Sequence, residues 1–317
     1  MSQAEVTAAL RVIGAVARAD GKISDEERKL FRSAVAELVP VVEGKSLEDL
    51  LTEPSDLEAD LAAVTSPVVR RAVFEVAYAM ATSDGAVQSE NDVLKKIRNA
   101  FSVESGDGQL DDFLRRRAYD LPVSPALDPV ERQARVKAVL ARRTMNAAIL
   151  GALPIPFVGD VGVLLQLGAV VDEISILWGQ PLTGKEKWTR FASILSIAMA
   201  QSAAHSLVKM IPGWGTLAGA VSGAVVSYVA VGAVGRAVNH FYETDGKATP
   251  AELRKVFSEE KGKLRKEYGA NEAKVEQAKA AHGAELTALA ERLAAKEITS
   301  EEYERKVNEL LGQASAS

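Results

Sequence analysis

The segment from Lys209 to Arg236 reads KMIPGWGTLAGAVSGAVVSYVAVGAVGR, with no Asp, Glu, Lys or Arg between its two ends. Small residues recur at every fourth position and form what we name the small-residue stripe: Gly215, Gly219, Gly223 and Ser227. Residues four apart share one face of a helix. We therefore predict a Gly-rich helix whose stripe is nearly bare backbone, so that a second helix approaches it closely.

The length of this segment raises the question of a membrane. A helix from Gly213 to Val234 would be roughly 33 Å long at ~1.5 Å per residue, close to the thickness of a hydrocarbon core. Trp214 lies at its start, and Arg142, Arg143 and Lys187 precede it in the chain. Cations beside an apolar block suit anionic lipid headgroups, although they are equally ordinary on a solvated helix. Two interpretations stay open: a membrane-associated helix, or a core helix buried inside a bundle.

Composition narrows the class of protein. The 317 residues suggest two or three domains, and helical apolar periodicity with scarce strand patterns predicts an all-α fold. The absence of cysteine excludes disulfides and thiolate metal sites and fits a reducing cytosol. A net charge of −5 argues against nucleic acid as the main partner.

Catalytic patterns are weak. The chain has only three histidines and no cysteine. No pair of carboxylates stands in a glycine-framed pocket pattern, and Gly184-Lys185 lacks the upstream glycine of a phosphate-binding loop. We predict a protein that is not an enzyme.

The amino-terminal part contains an internal repeat. Residues 17–26 read ARADGKISDE and residues 81–90 read ATSDGAVQSE, each between an apolar helix pattern and a helix with an acidic start. We predict a duplicated helix-pair bundle over residues 1–120, with one more short helix near 57–64.

The acidic residues of this repeat have two interpretations. Ser24 and Glu27 have the spacing of a capping box, which follows the Asp20-Gly21 turn. Alternatively, Asp20, Glu27 and Asp84 converge on a divalent cation, which requires several oxygen ligands at once.

The two Asp-Gly-x-[Ile/Val] turns resemble the TerB family of tellurite-resistance-associated domains. The resemblance implies a compact helical domain with an acidic patch, found in bacterial stress systems, for which metal binding has been proposed. Asn91 departs from the pattern, because it stands where the first half has Glu27.

An apolar helical domain is predicted over residues 128–255. Its first helix should be capped by Asp128-Pro129, and the later helix that carries Asp172 and Glu173 is interpreted as a buried core helix. The region 145–255 is similar to a membrane-associated domain found beside bacterial GTPases, on the basis of IPF at 155–157, IPGWG at 211–215, GR at 235–236 and FY at 241–242. That resemblance implies a possible GTPase partner.

The carboxyl-terminal part is charged and helix-forming. We predict a helical linker over 256–283, with breaks near Gly269 and Gly283, and a short helical hairpin in the tail 284–317. Leu286, Leu289 and Leu293 are followed by KEITSEEYERKVNELL at 296–311. On these residues the tail resembles the SHOCT motif, which implies homo-oligomerisation; a generic amphipathic helix pair is the alternative. Its predicted apolar face, too small to be stable alone, must dock on a second copy or on the rest of the chain: Leu293, Ile298, Tyr303, Val307 and Leu310.

Together these patterns predict a non-enzymatic, membrane-associated stress-response or scaffold protein that self-assembles through its tail. It would be cytoplasmic, lying on or inserted in the inner face of the cytoplasmic membrane. The alternative is a soluble helical scaffold whose Gly-rich segment is a buried core helix.

Overall fold

The computed structural model describes residues 2–35, 45–82, 88–103, 127–153, 158–209, 223–295 and 297–314. These ranges form helices and contain no strand, which confirms the predicted all-α class. The helices are α1 (Gln3–Ala17), α2 (Asp25–Val35), α3 (Leu47–Thr52), α4 (Leu57–Ala63), α5 (Pro67–Thr82), α6 (Gln88–Phe101), α7 (Pro129–Gly151), α8 (Val158–Leu177), α9 (Gly184–Lys209), α10 (Gly223–Glu243), α11 (Pro250–Ala294) and α12 (Ser300–Ala314).

The chain divides into two compact units. The first comprises Met1–Gly108 with Ser196–Ala220, and the second comprises Gln109–Leu195 with Val221–Ser317. The predicted domain boundaries at 120, 128, 255 and 283 stay predictions.

Helix α1 is the centre of the first unit. It contacts α2, α3, α4, α5 and α6, and Val6, Leu10 and Ile13 are fully buried along it. The Glu5 carboxylate accepts hydrogen bonds from the backbone N–H groups of Thr65 and Ser66, each at 2.9 Å, just before α5 begins. The start of α1 is thereby tied to the start of the second helix pair.

One helix of this unit, α3, was not predicted from the sequence. Between the two pairs the structure has α3 as well as the expected α4. Ser46 and Asp49 form a capping box at the start of α3. Arg18, just after α1, donates to the carbonyl oxygen of Leu51 at 2.7 Å and so holds the end of α3. The Ser46–Asp49 spacing was the available signal.

The second unit is built around α8 and the Gly-rich α10. Both helices pack against α7 and α11 and against each other. A Cβ atom added at Gly235 would lie 2.4 Å from Leu140 Cδ2, and one at Gly232 would lie 2.6 Å from Leu264 Cδ2. These glycines therefore let neighbouring helices approach α10, which is a core helix over its described length.

Helix α11 corrects one sequence prediction. It runs without interruption through Gly269 and Gly283, so the predicted breaks at these two glycines are wrong. A glycine costs a helix about 1 kcal/mol relative to alanine. The buried face of α11, which includes Leu264, Tyr268 and Val275, offsets that cost.

Candidate functional site: buried charges around helix α8

Helix α8 carries polar groups through an apolar core. It is buried on nearly every described face, yet Gln166 and Asp172 are among its buried residues and Glu173 lies next to them. Placing a charged group in such an environment is unfavourable unless it is paired. The predicted interpretation of this segment as a core helix agrees with its burial. Ionisable groups in a core are candidates for a functional site.

The first pair links α8 to α9. Lys187 Nζ lies 2.8 Å from Asp172 Oδ2, and Lys187 is only 1% exposed. The ammonium therefore faces the core, and the sequence-based suggestion that Lys187 helps to contact lipid does not fit its position.

The second group centres on Arg143 of α7, which is 3% exposed. Its guanidinium pairs with Glu173, donates to Gln166 Oε1 at 3.0 Å and lies 3.5 Å from Glu304 Oε1 of α12. One buried cation thus joins three helices. A lipid headgroup cannot reach Arg143 in this arrangement, whereas its neighbour Arg142, also paired with Glu173, keeps 53% of its side chain exposed.

Helix α12 is the element that closes this region. Its residues Tyr303, Val307 and Leu311 are buried, in the i, i+4 register. Leu311, rather than the predicted Leu310, completes the face. Asn146 Nδ2 lies 3.5 Å from Asn308 Oδ1. The sequence allowed the tail to dock on a second copy or on the rest of its own chain. In the structure it docks on its own chain.

Tyr303 marks the deepest contact of α12. A Cβ atom added at Gly162 of α8 would lie 2.7 Å from the Tyr303 hydroxyl oxygen. Among the described residues this hydroxyl has no hydrogen-bond partner. Burial raises the pKa of Tyr303, so it stays neutral. Tyr303 therefore fits against α8 through shape and not through a hydrogen bond. Gly162 permits this fit because it has no side chain in the space that the hydroxyl occupies.

A cleft of about 640 Å³ opens over the charges, between α7, α8 and α12. Five carboxylates and three arginines line it. Of these arginines, Arg143 faces α12 across the cleft through Glu304, whereas Arg305 pairs with Glu309 on α12 itself.

In the first unit the structure shows the geometry of a cap at the first acidic turn. Ser24 N donates to Glu27 Oε2 at 2.6 Å, and Glu27 N donates to Ser24 Oγ at 3.1 Å. Asp20 Oδ1 accepts from Lys22 N at 2.9 Å. This reciprocal pair is the arrangement that the capping interpretation predicts.

In the second half of the repeat, Glu90 is a closer counterpart of Glu27 than Asn91, the residue that the comparison of the two Asp-Gly turns gave. Glu27 is the third residue of α2, and Glu90 is the third residue of α6; both are buried. The alignment by Asp-Gly paired Glu27 with Asn91, because it ignored where each helix begins. The helix-start position was the signal that identifies Glu90.

The predicted cation site stays a prediction. Asp84 lies outside the described residues, and within the described part of the chain no group of three His, Cys, Asp or Glu is arranged to hold a metal ion. Asp20 and Glu27 are engaged in the hydrogen bonds given above.

The structure describes only the last two residues of the small-residue stripe, Gly223 and Ser227. Trp214, Gly215 and Gly219 lie outside the described residues. A Cβ atom added at Gly151 of α7 would lie 2.5 Å from the Gly223 carbonyl oxygen and 2.2 Å from Ser227 Oγ. Helices α7 and α10 thus approach closely at this end of the stripe. Among the described residues, no helix has the length and hydropathy required of a membrane span.

These features define an all-helical protein with a duplicated helix pair in its amino-terminal part and a charged helical core in the part of the chain that follows. Residues 4–110 match the family model of the tellurite resistance protein TerB. The match covers α1 to α6 and confirms the resemblance of the amino-terminal region. Comparison with curated proteins and with solved structures found no match. The GTPase-associated and SHOCT resemblances, and the GTPase partner, stay predictions.

Proposed function

We propose that this protein is a non-enzymatic helical scaffold in tellurite resistance or a related stress response. The observation that carries the proposal is the match of residues 4–110 to TerB. The first unit supplies the stress-related module, and the second unit supplies the structural platform.

Self-assembly through α12 is the second part of the proposal. The apolar face of α12 matches the amphipathic pattern of an assembly element. On its charged side Glu304 is buried, but Glu301, Arg305 and Glu309 are exposed at a cleft. Docking of this kind is reversible more easily than that of a helix buried on all sides.

Peripheral contact with an anionic membrane is the third part. Helix α7 keeps Arg135, Lys137 and Arg142 exposed, and Arg135 and Arg142, seven residues apart, lie on one face. Anionic headgroups attract such cations within about one Debye length. An alternative is a wholly soluble scaffold, which is favoured by the burial of α10 in the core of the second unit.

Growth in the presence of tellurite tests the central proposal. A strain of the source organism that lacks the gene should tolerate several-fold less tellurite than the parent, and the full chain supplied in trans should restore tolerance. Equal tolerance in the parent and the deletion strain would contradict the tellurite assignment.

Cell fractionation separates the membrane-associated scaffold from the soluble one. A peripheral protein held by cations should sediment with membranes at low salt and leave them in a high-salt wash, because salt screens exposed charges. Recovery in the supernatant at every salt concentration would favour the soluble alternative.

A further inference from the structure

Helix α12 can serve assembly only if its apolar face, which is already buried, becomes free. Tyr303, Val307 and Leu311 contact their own chain, so this face is unavailable to a second copy while α12 stays docked. An assembly that uses α12 must therefore release it, and release leaves a groove that fits the same helix from another molecule. We infer that two copies assemble by exchanging α12, which rests on the self-assembly proposed above.

The groove is specific for this occupant. Gly162 leaves the space that the Tyr303 hydroxyl occupies, and a side chain at that position would collide with it. Arg143 provides a buried cation opposite Glu304, and Asn146 lies within reach of Asn308. In an exchanged dimer each of these contacts forms between two chains instead of within one chain, so little stability is lost when the dimer forms.

The connection between α11 and α12 permits the opening. Residues 284–311 contain no Gly and no Pro, the two residues that most readily interrupt a helix. Ala295 is in the right-handed helical region, with φ −75° and ψ 0°. The connection from the end of α11 at Ala294 to the start of α12 at Ser300 is short, so a backbone change confined to it would make α11 and α12 continuous.

The described interactions at this turn include a backbone hydrogen bond from Glu297 N to the Arg292 carbonyl oxygen at 2.9 Å and an ion pair between the same two residues. Thr299 N donates to Glu302 Oε2 at 3.1 Å, Glu302 N donates to Thr299 Oγ1 at 3.2 Å, and Ile298 is buried. If these interactions give way, residues 250–314 form one helix of roughly 95 Å at ~1.5 Å per residue. Such a helix carries α12 away from its own groove and toward that of a partner.

Cross-linking between chains tests the exchange. The chain has no cysteine, so introduced thiols are the only ones. Arg142 of α7 and Arg305 of α12 line the same cleft and are both largely exposed. Full-length Arg142→Cys and Arg305→Cys chains with different tags are co-expressed, co-purified and treated with a short bis-maleimide. The double variant in one chain serves as the control for reach.

Exchange predicts a covalent dimer that contains both tags. A collision control pairs Arg305→Cys with Lys255→Cys, an exposed residue roughly 55 Å along α11 from its hairpin end. The first pair should give at least tenfold more mixed dimer than the control pair. Ser300→Pro should return the product to the control level, since proline suits the first position of α12 but breaks a continuous helix.

The outcomes separate this inference from the function it rests on. A mass of one chain in light scattering at every concentration would contradict self-assembly and the exchange together. A dimeric mass with mixed cross-linking no greater than the control would overturn the exchange alone. Undiminished cross-linking by a folded Ser300→Pro protein would overturn the continuous-helix form of it.

Discussion

At the residue scale, Tyr303 offers a direct measurement. Its hydroxyl is buried against α8 with no partner in the described part of the chain, which costs about 1–3 kcal/mol. We expect Tyr303→Phe to raise the free energy of unfolding by about 1 kcal/mol, because it removes the unpartnered polar group and keeps the buried ring. Urea unfolding of the full chain measures the change.

Tyr242 is the matched control for this substitution. Its hydroxyl donates to Ser175 Oγ at 2.9 Å in an equally buried position. Tyr242→Phe should therefore lower the free energy of unfolding by about 1 kcal/mol. Equal effects of the two substitutions would contradict the assignment of an unpartnered hydroxyl to Tyr303.

Glu5 should make the first unit sensitive to acid. Burial works to raise the pKa of its carboxyl, but hydrogen bonds from Ser66 and Thr65 outweigh burial and hold the pKa below the ordinary 4.5. Because the pKa is lower in the folded state, the carboxylate stabilises the fold above pH 4.5. This contribution is lost as the pH falls through the folded-state pKa.

We expect Glu5→Gln to lower the free energy of unfolding by about 1–2 kcal/mol at neutral pH. The difference from the parent should shrink as the pH falls below 4.5. Thermal unfolding over a pH series measures it, and the exposed Glu58→Gln is the control. A difference that stays constant with pH would show that the effect is not one of ionisation.

At the element scale, the approach of α7 to α10 is the contact to test. A methyl group at Gly151 would meet both the Gly223 carbonyl and Ser227, and a backbone oxygen cannot move aside as a flexible side chain can. Gly151→Ala should lower the free energy of unfolding by about 1–3 kcal/mol, as overpacked cores do. Chemical denaturation gives the value.

Gly262 of α11 is the control at the same scale. Nothing lies within 4 Å of the position where its Cβ would be. Gly262→Ala should therefore raise the free energy of unfolding by about 0.5–1 kcal/mol, because alanine is the better helix former. Stabilisation by Gly151→Ala as well would mean that α7 and α10 are not in close contact.

At the scale of the whole molecule, the exposed cations of α7 must attract anionic lipid although the chain carries a net charge of −5. We expect the protein to float with anionic vesicles and not with neutral ones. Arg135→Glu with Arg142→Glu, two exposed cations on one face of α7, should reduce the bound fraction about tenfold or more, at ~1 kcal/mol per cation near the surface. Arg143 is left unchanged, because its charge is buried.

The control for flotation has the same charge change elsewhere. Lys255→Glu with Lys263→Glu alters two exposed lysines of α11. Binding should then fall much less than in the α7 variant. Equal losses would indicate attraction by overall charge, and failure of the parent protein to float with any vesicle would favour the soluble scaffold.

Local signals in the sequence were enough to place most of the helices. The Asp128-Pro129 cap of α7 and the Ser24–Glu27 capping box of α2 are both present in the structure. The duplicated turn was also sufficient to identify the TerB resemblance. These signals act within one or two helical turns, so a single segment contains all the information that they need.

The tertiary structure alone decided which charges are buried and where α11 ends. Arg143 and Glu304 are far apart in sequence, and their pairing exists only because α12 packs beside α7. Lys187 looks like a solvated cation until α9 places it against Asp172. Helix α11 likewise continues through Gly269 because its apolar face is buried along α10. Burial and ion pairing depend on distant neighbours, whereas capping and periodicity do not.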